Sequence, residues 1–338
     1  MTCKFMKQNT IIILLLFSII SACTKQNSTV MGELKKSIGA RNEVVVVIDD
    51  SLWFGAVGDS IREKLAHRIE GLSGNEPVFD LVQFDPSIFS IKAKTARNIV
   101  QFTSYASNEF VLEKSLNASP QNFFFIRGKS IDDLLAVFKA NADSIVSVFK
   151  ASELNEETHD MVRSSRKDIS ELKDYFGCVL KIPSTYHLQV KKEYPFLWYQ
   201  KALSSGNLNL VLYEFPISEI EDSKQTINQR LLMARDYIGK EFLKTAKDSA
   251  YITTNPDFVP LITKETVQDL PAYKIIGTYT SVNDFIKGPF ITYAIRDEYY
   301  QRYLFLDGFI NSPLRNKREQ LLELEAIIKT VNFNEGTN

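Results

Sequence analysis

Four consecutive valines constrain this chain more than any other feature. Residues 43–48 read Glu-Val-Val-Val-Val-Ile, and a β-branched run with no polar alternation suits a strand buried on both faces, as in sheets covered by helices. Asp49 and Asp50 end the run. Residues 58–71 then place Ile61, Leu65 and Ile69 at spacings of four, with Arg62, Glu63 and Lys64 on the other side, which predicts an amphipathic helix. Strands are expected at residues 98–104 and 123–127. A helix opened by Ser130 should follow, with Asp133 three residues on as an acidic capping box. Its apolar stripe runs through Ile131, Leu134, Leu135, Phe138, Ile145 and Phe149. Residues 151–174 are charged and weakly periodic, and read as helix continuing toward a hinge.

The second half has a different rhythm. Strands are expected to end at Ile182-Pro183 and to occupy residues 196–200 and 208–215, followed by a helix over 225–242. Three strands rich in Tyr, Phe and Ile (273–280, 290–296 and 300–310) are separated by the turn formers Asn283-Asp284 and Asp297-Glu298, which predicts an antiparallel meander. A closing helix covers 316–329. The order defines an α+β class: two α/β sandwich-like domains, residues 39–174 and 175–334, with largely antiparallel sheets and flanking helices. A length of 338 residues accommodates two medium domains.

What precedes residue 39 reads as an address. Lys4 and Lys7 are followed by an apolar stretch at 11–20 and by small residues ending at Cys23, the three parts of a secretion signal. A stretch of ten residues is too short for a permanent anchor, because a helix needs about 20 to cross the hydrocarbon. Ile20-Ser21-Ala22-Cys23 resembles the bacterial lipobox, which implies that residues 1–22 are cleaved and Cys23 is acylated, with palmitate among the acyl groups. Residues 23–38 would then be a polar, flexible tether. Position 24 is Thr and no acidic run follows, so the expected place is the periplasmic face of the outer membrane.

Composition excludes some partners. Forty basic side chains against 41 acidic ones leave a formal charge of −1, so nothing argues for nucleic acid through phosphate neutralisation. With Cys3 in the signal and Cys23 acylated, Cys178 is alone and no intramolecular disulfide can form. It precedes an apolar stretch and is expected to be a buried, inert thiol.

Several short stretches taken in order carry a family likeness: Gly39-Ala-Arg41-Asn42-Glu43-Val44-Val45, Trp53, Gly55, Gly58, Arg62, Glu76-Pro77, Arg97-Asn98, Pro120-Gln121, Ile182-Pro183 with Tyr186, Trp198, Gly288-Pro289-Phe290, and Lys317-Arg318 before Glu325-Ala326-Ile327. Together they resemble the Bacteroidota lipoprotein family catalogued as domain of unknown function 4837, over nearly the whole mature chain. Asp284-Phe285-Ile286-Lys287 stands where that family has glycine and methionine. The family carries no assigned activity. From about residue 178 the element order is also similar to the PsbP and Mog1 type of α/β/α sandwich, whose members mostly bind partners.

No complete catalytic constellation emerges. Gly58-Asp59-Ser60-Ile61 resembles the nucleophile block of GDSL esterases, but a serine hydrolase needs a histidine base and none follows His187. Asp59 or Ser60 as a helix N-cap explains the same residues. His67, His159 and His187 are too scattered for a metal site, and there is no phosphate loop or dinucleotide fingerprint. No metal and no cofactor is expected. Aromatic residues in turns are better candidates: Trp53-Phe54 after the first strand, Tyr194-Pro195-Phe196 with Trp198, and Tyr299-Tyr300 with Tyr303. Trp53, Phe54 and Trp198 are the candidate recognition residues. The expected function is a non-enzymatic binding or scaffold module for an envelope protein or glycan. The alternatives are a hydrolase around Asp49, Asp50, Asp59 and Ser60, or a small-molecule or lipid carrier, which would need an apolar pocket.

Overall fold

Two sheets of opposite character, each shielded by helices, share one body. The computed structural model describes residues 34–72, 74–165, 170–191, 195–221, 225–245, 249–313 and 317–333. Residues 36–338 form one compact unit. The signal and Cys23 lie outside the described residues.

The valine run becomes β1 (Glu43–Val47), with four of its five residues buried. Two helices follow, α1 (Asp50–Trp53) and α2 (Ala56–Leu65), then β2 (Asp80–Phe84), β3 (Asn98–Ser104), β4 (Glu109–Lys114), β5 (Asn122–Gly128) and the 34-residue α3 (Ile131–Ser164). The strands align as β2-β1-β3-β5-β4. β1 runs parallel to β2 and β3, β3 runs parallel to β5, and only β4 pairs antiparallel. The expectation of largely antiparallel sheets fails for this one. The local signal was the better guide: β1 is buried on both faces, with Val44 and Val46 against α2 and α3, and Val45 and Val47 against Phe84, Phe89 and Phe123. Ser130 caps α3, its Oγ accepting from the Asp133 N–H at 3.2 Å, as its spacing predicts.

α3 extends about 50 Å, and its charged second half is anchored rather than free. Glu153, fully buried, accepts from Arg97 Nε at 2.8 Å and from Asn98 Nδ2 at 2.6 Å. After α4 (Ser170–Phe176), the segment expected as a strand ending at Pro183 forms only isolated bridges, Val179 to Asn332 and Pro183 to Ser165. Its apolar residues Cys178, Leu180 and Ile182 are fully buried nonetheless.

The second sheet is antiparallel throughout. It comprises β6 (His187–Lys191), β7 (Phe196–Ala202), β8 (Asn207–Pro216), β9 (Tyr251–Thr254), β10 (Leu261–Val267), β11 (Leu270–Val282), β12 (Lys287–Asp297) and β13 (Arg302–Asn311). They run in the order β10-β11-β12-β13-β8-β7-β6, with β9 pairing β11 beyond β10. Helices α5 (Ile217–Glu221) and α6 (Ile227–Phe242) cover one face, and α7 (Lys317–Lys329) with α4 covers the other. Alternation along β11 divides the two cores: Ala272 and Ile276 pack toward α7, Ile275 and Tyr279 toward α6.

Candidate functional site

The sequence candidates do not converge. Trp53 closes α1 half-buried against the first core. Arg62 lies over its indole at 4.6 Å, donates to its carbonyl at 3.2 Å and pairs with Asp59 at 2.7 Å. Phe54 beside it is 80% exposed. Trp198, also half-buried, donates its indole N–H to Asn209 Oδ1 at 3.0 Å and belongs to the core under α6. The two tryptophans therefore serve different apolar clusters. Phe196 and Tyr303 are buried, Tyr299 is exposed, and Tyr194 lies outside the described residues.

The acid and serine group is dispersed as well. Asp50 accepts from Gln83 at 3.0 Å. The Ser60 hydroxyl is buried inside α2 with no hydrogen-bond partner among the described residues. α2 begins at Ala56 with Gly55 as its N-cap, so neither Asp59 nor Ser60 caps it. The helix starts earlier than expected because it follows α1 almost without a break. Among the described residues no three His, Cys, Asp or Glu side chains are grouped to hold a metal. His159 is exposed on α3, and His67 lies beyond the end of α2.

The feature that could hold a ligand lies elsewhere, where the two sheets' surroundings meet. A cleft of about 680 Å³ is lined by Ile69, Leu72 and Glu76 from the first half, and by Phe258, Thr278, Phe285, Ile286 and Pro289 among others from the second. Such a volume lies within the range of small-molecule sites, ~300–1,000 Å³. Three local devices build it. Gly71 adopts φ +81°, and a Cβ there would lie 2.7 Å from the Ile276 carbonyl, so only glycine lets this loop press onto β11. Gly288 passes so close to β13 that a Cβ would meet the Ile310 carbonyl at 2.1 Å, and the Tyr279 hydroxyl donates to that carbonyl at 3.0 Å. The turn between β11 and β12 is closed by Ser281, whose N–H donates to Ile286 O at 2.8 Å and whose hydroxyl accepts from the Ile286 N–H at 2.9 Å.

The polar end of the cleft is organised by Glu76. Its two carboxylate oxygens accept the backbone N–H groups of Lys317 at 3.0 Å and Arg318 at 2.8 Å, so a side chain of the first half caps a helix of the second. Burial pushes the Lys317 ammonium below the ordinary lysine range, opposed in part by Glu76, and that ammonium donates to Ser312 O. Arg318 donates to Pro77 O at 2.8 Å and pairs with Asp80 at 2.5 Å. Thr278 is 4% exposed, and its hydroxyl has no partner among the described residues. The cleft thus has apolar walls and a polar end whose charges are engaged.

No sequence pattern marked this cleft, because its lining comes from residues 69–76, 255–289 and 311–317. A trace was present: Glu76-Pro77, Gly288-Pro289 and Lys317-Arg318, three widely separated pieces of the family likeness, meet here.

Residues 164–330 match the family described as Domain of unknown function (DUF4837), and residues 37–162 match a second, Domain of unknown function (DUF8532). The two matches abut, one over each half of the chain. The likeness seen in sequence is divided: its pieces before residue 162 fall in the second family's span. No functionally curated protein matches the chain. Among solved structures, the crystal structure of LpqN, involved in cell envelope biogenesis of Mycobacterium tuberculosis, is similar at 12% identity, covering 46% of this chain and 83% of that chain with a TM-score of 0.27. A likeness that loose is no guide to function. Among the described residues no helix is long and apolar enough to cross a membrane.

Proposed function

We propose that the protein is a lipid-anchored envelope lipoprotein whose folded part binds a small, largely apolar ligand in the cleft between its two halves. The observation that carries the reading is the 680 Å³ cleft with Ile69, Leu72, Ile286 and Pro289 on its walls, a space with more apolar lining than a surface for a polar glycan needs. The lipobox-like Ile20-Ser21-Ala22-Cys23 supports the envelope address.

Gly74 provides a clean test, because a Cβ there meets nothing within 4 Å and the residue lines the cleft. In the full-length chain, Gly74→Trp should weaken binding of the neutral dye N-phenylnaphthylamine by about tenfold, roughly 1.4 kcal/mol, without lowering the unfolding temperature. Unchanged dye affinity in the folded variant would refute the cleft as the site. For the anchor, Cys23→Ser should move the protein from the membrane to the soluble envelope fraction; continued sedimentation with membranes would refute acylation.

Recognition of an envelope protein or glycan through the Trp53-Phe54 turn is a second reading, favoured by the solvent-facing Phe54 ring. Phe54→Ala abolishing a native crosslink while dye binding persists would favour this reading over the cleft.

A further inference from the structure

A second cavity, of about 270 Å³, opens between α3, α7 and the β11–β12 pair and is rich in cations. Lys150, Lys274, Arg318 and Lys329 line it, against Glu265 and Glu325. Most of these charges are engaged. Lys274 pairs with Glu325 at 2.5 Å, Lys329 with Glu265 at 3.5 Å, and Arg318 with Asp80 and Glu319. The Tyr293 hydroxyl donates to Glu325 at 2.6 Å, and its ring lies under the ammonium groups of Lys329 at 4.8 Å and Lys274 at 5.8 Å.

Two donors are left over. Lys150, whose residue is exposed at the cavity's edge, has no hydrogen-bond or ion-pair partner among the described residues; desolvation and the neighbouring Lys274 charge push its pKa down, opposed in part by the carboxylates of Glu70 and Glu325. Asn42 is 6% exposed, and its Nδ2 finds no acceptor among the described residues. A buried donor such as Asn42 Nδ2 left without an acceptor is unfavourable, and an oxygen-rich anion in this cavity would satisfy it while meeting the unpaired Lys150 charge at the edge. We infer that the cavity between α3 and α7 binds a small oxyanion of the phosphate type, held by Lys150 and Asn42 with Lys274 beside them. The anion would be free in solution or the headgroup of a lipid.

The test uses the full-length protein, with inorganic phosphate as one probe and vesicles of phosphatidylglycerol or phosphatidylcholine as the other. Phosphate should raise the unfolding temperature beyond sodium chloride at equal ionic strength. Lys150→Met, which keeps the aliphatic stem, should weaken phosphate binding about tenfold or more. Asn42→Gly should do likewise, and glycine accepts the φ of +56° that Asn42 adopts. This result identifies a soluble oxyanion. Binding to phosphatidylglycerol but not phosphatidylcholine vesicles, lost in both variants without a phosphate effect, identifies a headgroup. No response to either probe overturns the inference, as does a phosphate effect that survives in both folded variants, which means an adventitious ion only.

Discussion

Cys178 is fully buried beneath the second sheet, and burial pushes its thiol up to about 12. A maleimide at pH 8 should leave the native protein unlabelled and react stoichiometrically once urea unfolds it, which mass spectrometry would read directly. The same shift has a sign for stability. Between about 9 and about 12 the unfolded thiol ionises while the folded one stays protonated, so the unfolded state binds fewer protons and this group's contribution falls as pH rises. Cys178→Ala should reduce that alkaline loss in urea titrations. Glu153 makes the opposite kind of case, a buried charge that is fully bonded. Glu153→Ala leaves Arg97 buried without its carboxylate and should cost about 3–5 kcal/mol in denaturant unfolding. A loss below 1 kcal/mol would mean that water reaches Arg97.

Helix starts show how much of an element is set locally. α6 opens with a capping box: the Thr226 hydroxyl accepts from the Gln229 N–H at 3.4 Å, and the Gln229 carboxamide accepts from the Thr226 N–H at 3.0 Å. Thr226→Ala should destabilise by about 1 kcal/mol, seen as a lower urea midpoint at unchanged slope. α7 starts differently, since its first N–H groups are capped by Glu76 from more than 200 residues away. β2 and β4 escaped sequence reading for a related reason. Each is a short edge strand with no fully buried residue, and such a pattern acquires strand character only when a partner supplies its hydrogen bonds.

At the scale of the molecule the two halves share an ion pair between Arg318 and Asp80, a cross-half cap and a joint apolar wall. Ile69 packs against both large cores, and Leu72 is buried in the second. Calorimetry should therefore show a single transition for residues 36–338. Glu76→Ala, which uncaps α7 and loosens the wall of the cleft, should lower the unfolding temperature and weaken dye binding together. Loss of only one of the two would separate the cleft from the boundary that builds it.

By itself, the sequence determined what depends on neighbours along the chain. The valine run, the Ser130 cap and the turns at Asn283 and Asp297 act through local backbone and burial preferences, so the main strands and helices fall close to where their periodicity places them. The buried state of Cys178 was legible for the same reason. Only the tertiary structure decided which strands run parallel, that Trp53 and Trp198 serve separate cores, and that Glu76, Thr278 and Pro289 line one cleft. Those outcomes depend on contacts between segments up to about 240 residues apart, and no local pattern encodes which distant surfaces will exclude water together.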